Sequence, residues 1–329
     1  MQSARAACGA ESGLYKRPMD CILVLIAAPG SAAIDTGVLA ELRKCGAPEP
    51  RWLAPDEALE VADFSGREGF IDGLAGRPID WAIVPAANRR KRLLIADMDS
   101  TMIRQECIDE LGVVAGVGER IKDITARAMR GELDFEGALK ERIRLLAGLD
   151  AVVIGQIIRE RITFMPGGAT LVATMKAHGA YTALVSGGFR QFTSSVAARL
   201  GFDEDQANDL IIRDGKLAGT VGEPILGQAA KVEALNRIVT ARGITPADVL
   251  AVGDGANDIP MLLAAGMGVA LHAKPKVQEQ ARLRINHGDL TALLYLQGYE
   301  KADFARPPLP LERGGEGWRE GATAASASS

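Results

Sequence analysis

Residues 93–96, Leu93-Leu94-Ile95-Ala96, form an apolar run with no polar position inside it, closed by Asp97-Met98-Asp99-Ser100-Thr101. A half-exposed strand alternates apolar and polar residues, whereas an unbroken apolar run fits a strand buried on both faces of a parallel sheet. The pattern recurs twice. Residues 181–185 lead into Ser186-Gly187-Gly188, and residues 249–252 lead into Gly253-Asp254-Gly255-Ala256-Asn257-Asp258. Helical patterns over 168–178, 189–200, 231–242 and 259–265, and a further strand at 268–271, alternate with these runs. Such alternation predicts βαβ units and a doubly wound parallel sheet. In that architecture ligands bind beyond the carboxyl ends of the strands, where all three polar motifs fall.

The rest of the chain is organised around this core. At roughly 150 residues per domain, 329 residues imply about two domains. Residues 1–19 lack periodicity and read as a loose N-terminus; 20–86 read as a small α+β module with strands at 21–27 and 81–84 and helices at 36–44 and 66–73. The cluster Asn88-Arg89-Arg90-Lys91-Arg92 reads as a solvated linker, with a phosphate-attracting patch as the alternative. Between 107 and 162 the pattern is helical and charged, with Phe135, Leu139, Ile143 and Leu146 on one stripe, and predicts an inserted helical cap. Asp214-Gly215 between two short apolar segments predicts a hairpin. The main domain is expected over 87–302, and 303–329, rich in Pro, Gly, Ala and Ser, is expected to be a disordered tail.

Several function classes are disfavoured. A formal net charge of -4 supplies no basic field for nucleic acid, so no nucleic-acid partner is expected. Apolar runs fall well short of the ~18 residues of a membrane span, so none is expected. Asp20 and the late start of the first apolar run argue against a signal peptide. Four cysteines, none at CxxC spacing, suit a reducing cytoplasm. With only three histidines, catalysis is expected to run on carboxylates and lysine.

The three strand ends, together with Lys231 at a helix start, would gather carboxylates, a hydroxyl, backbone N–H groups and one ammonium around one crevice. Clustered carboxylates repel unless a cation joins them, and oxygen-only ligands select a hard ion such as Mg²⁺, which favours phosphate oxygens. A lysine and a Ser-Gly nest would bind the remaining oxygens. One carboxylate is then free to attack phosphorus, and another two residues on can protonate the leaving oxygen. The chemistry predicted is Mg²⁺-dependent phosphoryl transfer through an aspartyl-phosphate.

These motifs, with GDGANDIPML at 253–262, resemble those of the haloacid dehalogenase (HAD) superfamily of phosphatases over about residues 93–298. Asp97-Met98-Asp99-Ser100-Thr101 followed by Glu106-Cys107-Ile108-Asp109-Glu110-Leu111 is similar to the phosphoserine phosphatases within it. The resemblance implies hydrolysis of phosphoserine to serine, the last step of serine biosynthesis, with Asp97 as nucleophile and metal ligand. Asp99 would serve as general acid and base and bind Mg²⁺ through its backbone carbonyl, and Asp254 would supply a carboxylate to the metal. Ser186, Gly187 and Lys231 would hold the phosphoryl oxygens, Asn257 would contact the phosphate region, and Asp258 would orient Lys231 or a metal-bound water. Glu106 would face the substrate ammonium, Arg142 its carboxylate, and Met129 and Phe135 would close over it from the cap. The module at 20–86 resembles ACT-like amino-acid-binding regulatory domains, with a dimerisation domain, and hence a homodimer, as the alternative. Two other readings stay open: transfer to another acceptor such as homoserine or hydrolysis of another small ester, and an amino-acid-sensing protein whose catalytic half is vestigial.

Overall fold

The computed structural model describes residues 21–64 and 68–307. The segments expected to be loose at 1–19, and 308–329 of the expected tail, lie outside the described residues.

The N-terminal module runs β1 (Cys21–Ala27), α1 (Thr36–Lys44), β2 (Arg51–Ala54), β3 (Ala58–Val61), α2 (Glu68–Asp72) and β4 (Ile79–Pro85). Asp35 caps α1 by accepting from the Val38 N–H at 2.9 Å. The sheet order is β2-β3-β1-β4, with every pair antiparallel, which is the split β-α-β arrangement of a ferredoxin-like fold. The hairpin β2–β3 escaped the sequence reading because its strands are short and broken by charge. Leu23, Leu25, Leu59 and Val61 face the two helices, while Val24, Ile26, Ala82 and Val84 face the main domain.

The main domain begins with β5 (Leu93–Ala96), after which the chain leaves the sheet for four helices, α3 (Cys107–Val114), α4 (Gly118–Met129), α5 (Phe135–Arg144) and α6 (Val152–Glu160). It returns through α7 (Gly168–Ala177), β6 (Tyr181–Phe189), α8 (Arg190–Leu200) and β7 (Glu204–Asn208). The hairpin β8 (Leu210–Arg213) and β9 (Lys216–Val221) follows, then α9 (Gln228–Arg242), β10 (Val249–Gly253), α10 (Ile259–Ala264), β11 (Met267–Leu271), α11 (Pro275–Gln280), β12 (Leu283–Ile285) and α12 (Ala292–Leu296). The sheet order is β12-β11-β10-β5-β6-β7, all parallel. Leu93 and Ile95 face α9 and α10, while Leu94 and Ala96 face α7 and α12, so the unbroken apolar run is buried on both sides. This is an α/β fold of haloacid dehalogenase type: a parallel sheet, an inserted helical cap and a small α+β module before it.

Two connections tie the cap to the core. Residues 102–105 and 163–165 lie antiparallel, with Met165 N–H on the Met102 carbonyl at 3.0 Å and Arg104 N–H on that of Thr163 at 3.0 Å. The β8–β9 hairpin, turning at Asp214 (φ 50) and Gly215 (φ 73), bonds to the loop after α5 through Gly148 N–H to Leu217 O at 2.9 Å.

The structure corrects three sequence expectations. Strand β6 continues through Ser186-Gly187-Gly188 instead of ending in a nest, with only its register to β7 disturbed after Val185. The basic cluster is not a solvated linker. Arg89 and Lys91 are 9% and 7% exposed: Arg89 lies between the two domains and Lys91 against the main domain. Arg89 donates to the carbonyls of Tyr295 and Leu296 at the end of α12 and to Glu60, and Lys91 donates to the carbonyls of Asn88 and Ala247. A guanidinium suits a helix C-terminus, where carbonyls lack intrahelical partners. Finally, the expected tail is ordered at its start: Phe304 stacks on Tyr295 at 5.3 Å, and Ala305 donates to Thr174. Its apolar ring gains more by packing on the core than by remaining in water.

Candidate active site

Strands β5, β6 and β10 are neighbours, so Asp97, Ser186 and Asp254 emerge at one edge of the sheet. Lys231 is the fourth residue of α9 and is 1% exposed. Its ammonium donates to Asp97 Oδ1 and Asp258 Oδ1, each at 2.5 Å. The other oxygen of Asp258 accepts from Gly255 N–H at 2.9 Å, so one oxygen of that carboxylate holds the lysine and the other the loop. Its return to the strand depends on Gly253, where a Cβ would stand 2.4 Å from Asp258 Cγ.

Asp97, Asp254 and Asp258 each offer a carboxylate oxygen within 4.8 Å of the others, and all are buried. Three carboxylates against one ammonium leave a formal excess of two negative charges in a buried site. Burial and the charge of Asp258 push the Asp97 carboxyl well above the usual range, against the pull of Lys231. Burial and Asp258 likewise raise Asp254 to about 6. Burial alone would lower Lys231, but Asp258 and Asp97 outweigh it, and the ammonium is held charged. An all-oxygen donor set with an excess of two negative charges fits a hard divalent cation.

Asp99 stands apart from that group. Its Oδ1 accepts from Cys107 N–H at 3.0 Å, and its Oδ2 lies 2.8 Å from where a Cβ on Gly188 would be. Burial, then the charge of Glu106, raises it to about 7. The paired aspartates therefore occupy different surroundings: one is bound to ammonium within the acidic cluster, the other is held by the backbone N–H and the thiol of Cys107.

Three residues that the sequence reading passed over complete this floor. Thr101 donates to Asp254 Oδ1 at 3.1 Å. Gly188 donates its N–H to Ser186 Oγ at 2.9 Å and leaves room for Asp99. Asn208, 2% exposed, donates to the carbonyls of Gly187 and Leu226 and accepts from Leu226 N–H, tying the end of β6 to the approach to α9. Thr101 and Gly188 were visible as members of their motifs, whereas Asn208 ends a strand reading Glu-Asp-Gln-Ala-Asn, with no apolar run to announce it.

The cap supplies the opposite wall. Phe135 opens α5 and departs from the buried stripe of Leu139, Ile143 and Leu146; its ring edge lies 3.2 Å from the Cβ position of Gly187 and 3.3 Å from that of Gly227. It thus spans from the cap to the end of β6 and the approach to α9. Arg142, half-buried on the same helix, donates to Ala138 O and Thr125 Oγ1, with Asp109, Glu106 and Asp99 as its surrounding charges. Glu106 caps α3 with its backbone only; its exposed carboxylate instead accepts from Ser100 Oγ at 2.7 Å. Asn257 is half-exposed, with its side-chain oxygen 2.4 Å from the Cβ position of Gly255. Met129 ends α4, and its side chain lies outside the described residues.

A buried carboxylate, an ammonium, a strand-end hydroxyl and a second carboxyl two residues on are groups that can carry phosphoryl transfer. Among known proteins, the phosphoserine phosphatase of Streptomyces coelicolor is 44% identical over 239 residues, 72% of this chain and 58% of that protein. The chain thus spans somewhat over half the length of that relative. A HAD family hydrolase from Salmonella enterica serovar Typhi superposes with a TM-score of 0.76 at 31% identity, covering 85% of this chain and 99% of the other. A phospho-aspartyl intermediate analogue of a phosphoserine phosphatase superposes at 0.59 with 41% identity, covering 63% and 98%. The family model for haloacid dehalogenase-like hydrolases matches residues 94–263, from the strand that carries Asp97 to the helix that follows Asp258. That span includes the inserted cap and every core strand that contributes to the acidic cluster, and the chain therefore belongs to the haloacid dehalogenase-like hydrolase family.

Proposed function

We propose that this chain hydrolyses O-phospho-L-serine to L-serine and phosphate through an aspartyl-phosphate on Asp97, with Mg²⁺ as cofactor, in the cytoplasm. The observation that carries the reading is the asymmetry of the aspartate pair: Asp97 lies on Lys231 inside the acidic cluster, while Asp99 keeps clear of it on the Cys107 N–H. One carboxylate is thereby placed to attack and the other to handle a proton.

The phosphoryl group of the substrate would sit between Lys231 and the Ser186-Gly187 end of β6, under the ring of Phe135. An oxygen of Asp97 attacks phosphorus, the bond from phosphorus to the seryl oxygen breaks, and Asp99 gives its proton to that oxygen. Serine leaves. A water then attacks the phosphorus, its proton passes to Asp99, and the Asp97–phosphorus bond breaks to release phosphate. Asp97, Asp254 and the backbone carbonyl of Asp99 would hold Mg²⁺, which neutralises charge on the cluster and the transferring oxygens. Asp258 keeps Lys231 aimed, and the closed cap keeps bulk water out during the first step.

Phosphoserine carries an ammonium and a carboxylate beside its phosphate, and selection requires an opposite charge for each. Glu106, steadied by Ser100, suits the first and Arg142 the second. The names of the similar proteins support the same substrate. The N-terminal module, with its split β-α-β order, fits an ACT-like amino-acid-responsive domain or a dimerisation domain of a homodimer.

Phosphate release from a panel of small phosphomonoesters, with and without Mg²⁺, tests the proposal. A Mg²⁺-dependent preference for phosphoserine is expected, with Asp97→Asn lowering turnover by at least ~10³-fold. Equal rates on phosphoserine and a neutral aryl phosphate would overturn the substrate, and full activity of Asp97→Asn would overturn the mechanism.

A further inference from the structure

Arg142 is held by two uncharged partners. Its Nε donates to the carbonyl of Ala138 at 3.2 Å, one turn back on its own helix, and its Nη1 donates to Thr125 Oγ1 at 3.4 Å on the neighbouring helix α4. Nε and Nη1 belong to the same rigid plane, so the two contacts together set the direction of the guanidinium fork. The Thr125 contact is the one made to a side chain, and the one a substitution can remove.

Thr125 is half-buried, and its hydroxyl hydrogen is directed at the carbonyl of Ile121 at 3.0 Å. A hydroxyl whose proton is committed can only accept from a further partner, and an arginine can only donate. The polarity of the pair is thus determined by the helix backbone. Among the described residues, the second Nη1 hydrogen and both Nη2 hydrogens have no hydrogen-bond acceptor, and recognition of a carboxylate by two parallel N–H bonds depends on the direction of the fork.

We infer that Thr125 is a positioning residue for substrate selection, holding Arg142 in the rotation that receives the carboxylate of the substrate. This rests on Arg142 being the carboxylate clamp of the proposed reaction. The α4–α5 seam has a separate fastening in the ion pair of Arg127 with Glu141 at 2.9 Å, so the Thr125 hydroxyl can be removed with the helices still joined.

The test compares phosphoserine with O-phosphoethanolamine, which keeps the phosphate and ammonium but lacks the carboxylate, using the full chain. Thr125→Val is isosteric and removes the acceptor; it should raise KM for phosphoserine about fivefold with kcat within about twofold, lowering the phosphoserine-to-phosphoethanolamine ratio of kcat/KM by the same factor. Thr125→Ser should restore the ratio, and adding Thr125→Val to Arg142→Ala should lower it no further. If Arg142→Ala lowers the ratio but Thr125→Val does not, the inference falls while the clamp stands. If Arg142→Ala leaves the ratio unaltered, the clamp reading and this inference fall together. Equal losses on both substrates in Thr125→Val and in Thr125→Ala would make Thr125 a structural residue only and overturn the inference.

Discussion

Asp258 illustrates how narrow the tolerances are at the scale of one residue. Its carboxylate reaches Lys231 and the Gly255 N–H at once, and it does so across the empty Cβ position of Gly253. Gly253→Ala should push Asp258 outward and misplace Lys231, and a displacement near 1 Å at such a group costs about 10²-fold in rate. Phosphate release, read beside an unaltered circular dichroism spectrum, checks this; wild-type turnover in the variant would show that the loop adapts. Residue identities of this kind were legible where a charged side chain follows a buried strand, as for Asp97 and Asp254. They were not legible for Asn208, whose importance lies in three hydrogen bonds to backbone groups at 186–188 and 226 that only the folded chain brings near.

The helix α5 brings together two of the cap side chains of the site, since Phe135 is its first residue and Arg142 lies two turns on. Its N-terminus is capped by Asp134, which accepts from Gly137 N–H at 2.7 Å. Asp134→Ala should cost about 1 kcal/mol of local stability. Because Phe135 follows directly and packs over Gly187 and Gly227, the loss should appear as a higher KM for phosphoserine as well as a lower melting temperature; a shift in melting temperature alone would separate the cap from the site. Parallel strands buried on both faces were legible as continuous apolar runs, and the β8–β9 hairpin through its Asp-Gly turn. Strands β2, β3, β7 and β12 were not, because short strands carrying charge have no period of their own and form only against a partner already in place.

Over the whole molecule, the seam between the module and the main domain joins the apolar face of Val24, Ile26, Ala82 and Val84 to a set of polar contacts, several of them buried. Asp80, 4% exposed on β4, accepts from the backbone N–H groups of Asn286, His287 and Gly288 at 2.7, 2.9 and 2.7 Å. Glu57 accepts from Tyr295 at 2.7 Å and from Lys301 at 2.5 Å, and Glu60 accepts from Arg89 and Arg51. The segment that Asp80 holds continues to Leu290, whose N–H bonds to Pro166 O beside Gly167, at the foot of the cap. Asp80→Ala should leave three N–H groups without their acceptor and cost about 3 kcal/mol or more. Hydrogen exchange should accelerate at residues 286–288, with a lower melting temperature; unaltered exchange there would mean that water replaces the carboxylate without loss. None of this was readable from Arg89-Arg90-Lys91-Arg92, where basic residues in sequence suggest solvent and the structure instead buries two of the cations against carbonyls and carboxylates. The sequence by itself determined the parallel sheet, the existence of a cap and the side chains gathered at the strand ends, because those follow from apolar runs and from the residue immediately after each run. Only the tertiary structure decided that Asp99 stays apart from the acidic cluster, that Phe135 bridges cap and core, and that the two domains share a seam with buried polar contacts. Those features depend on contacts between segments far apart in the chain, whose distances and burial no local pattern encodes.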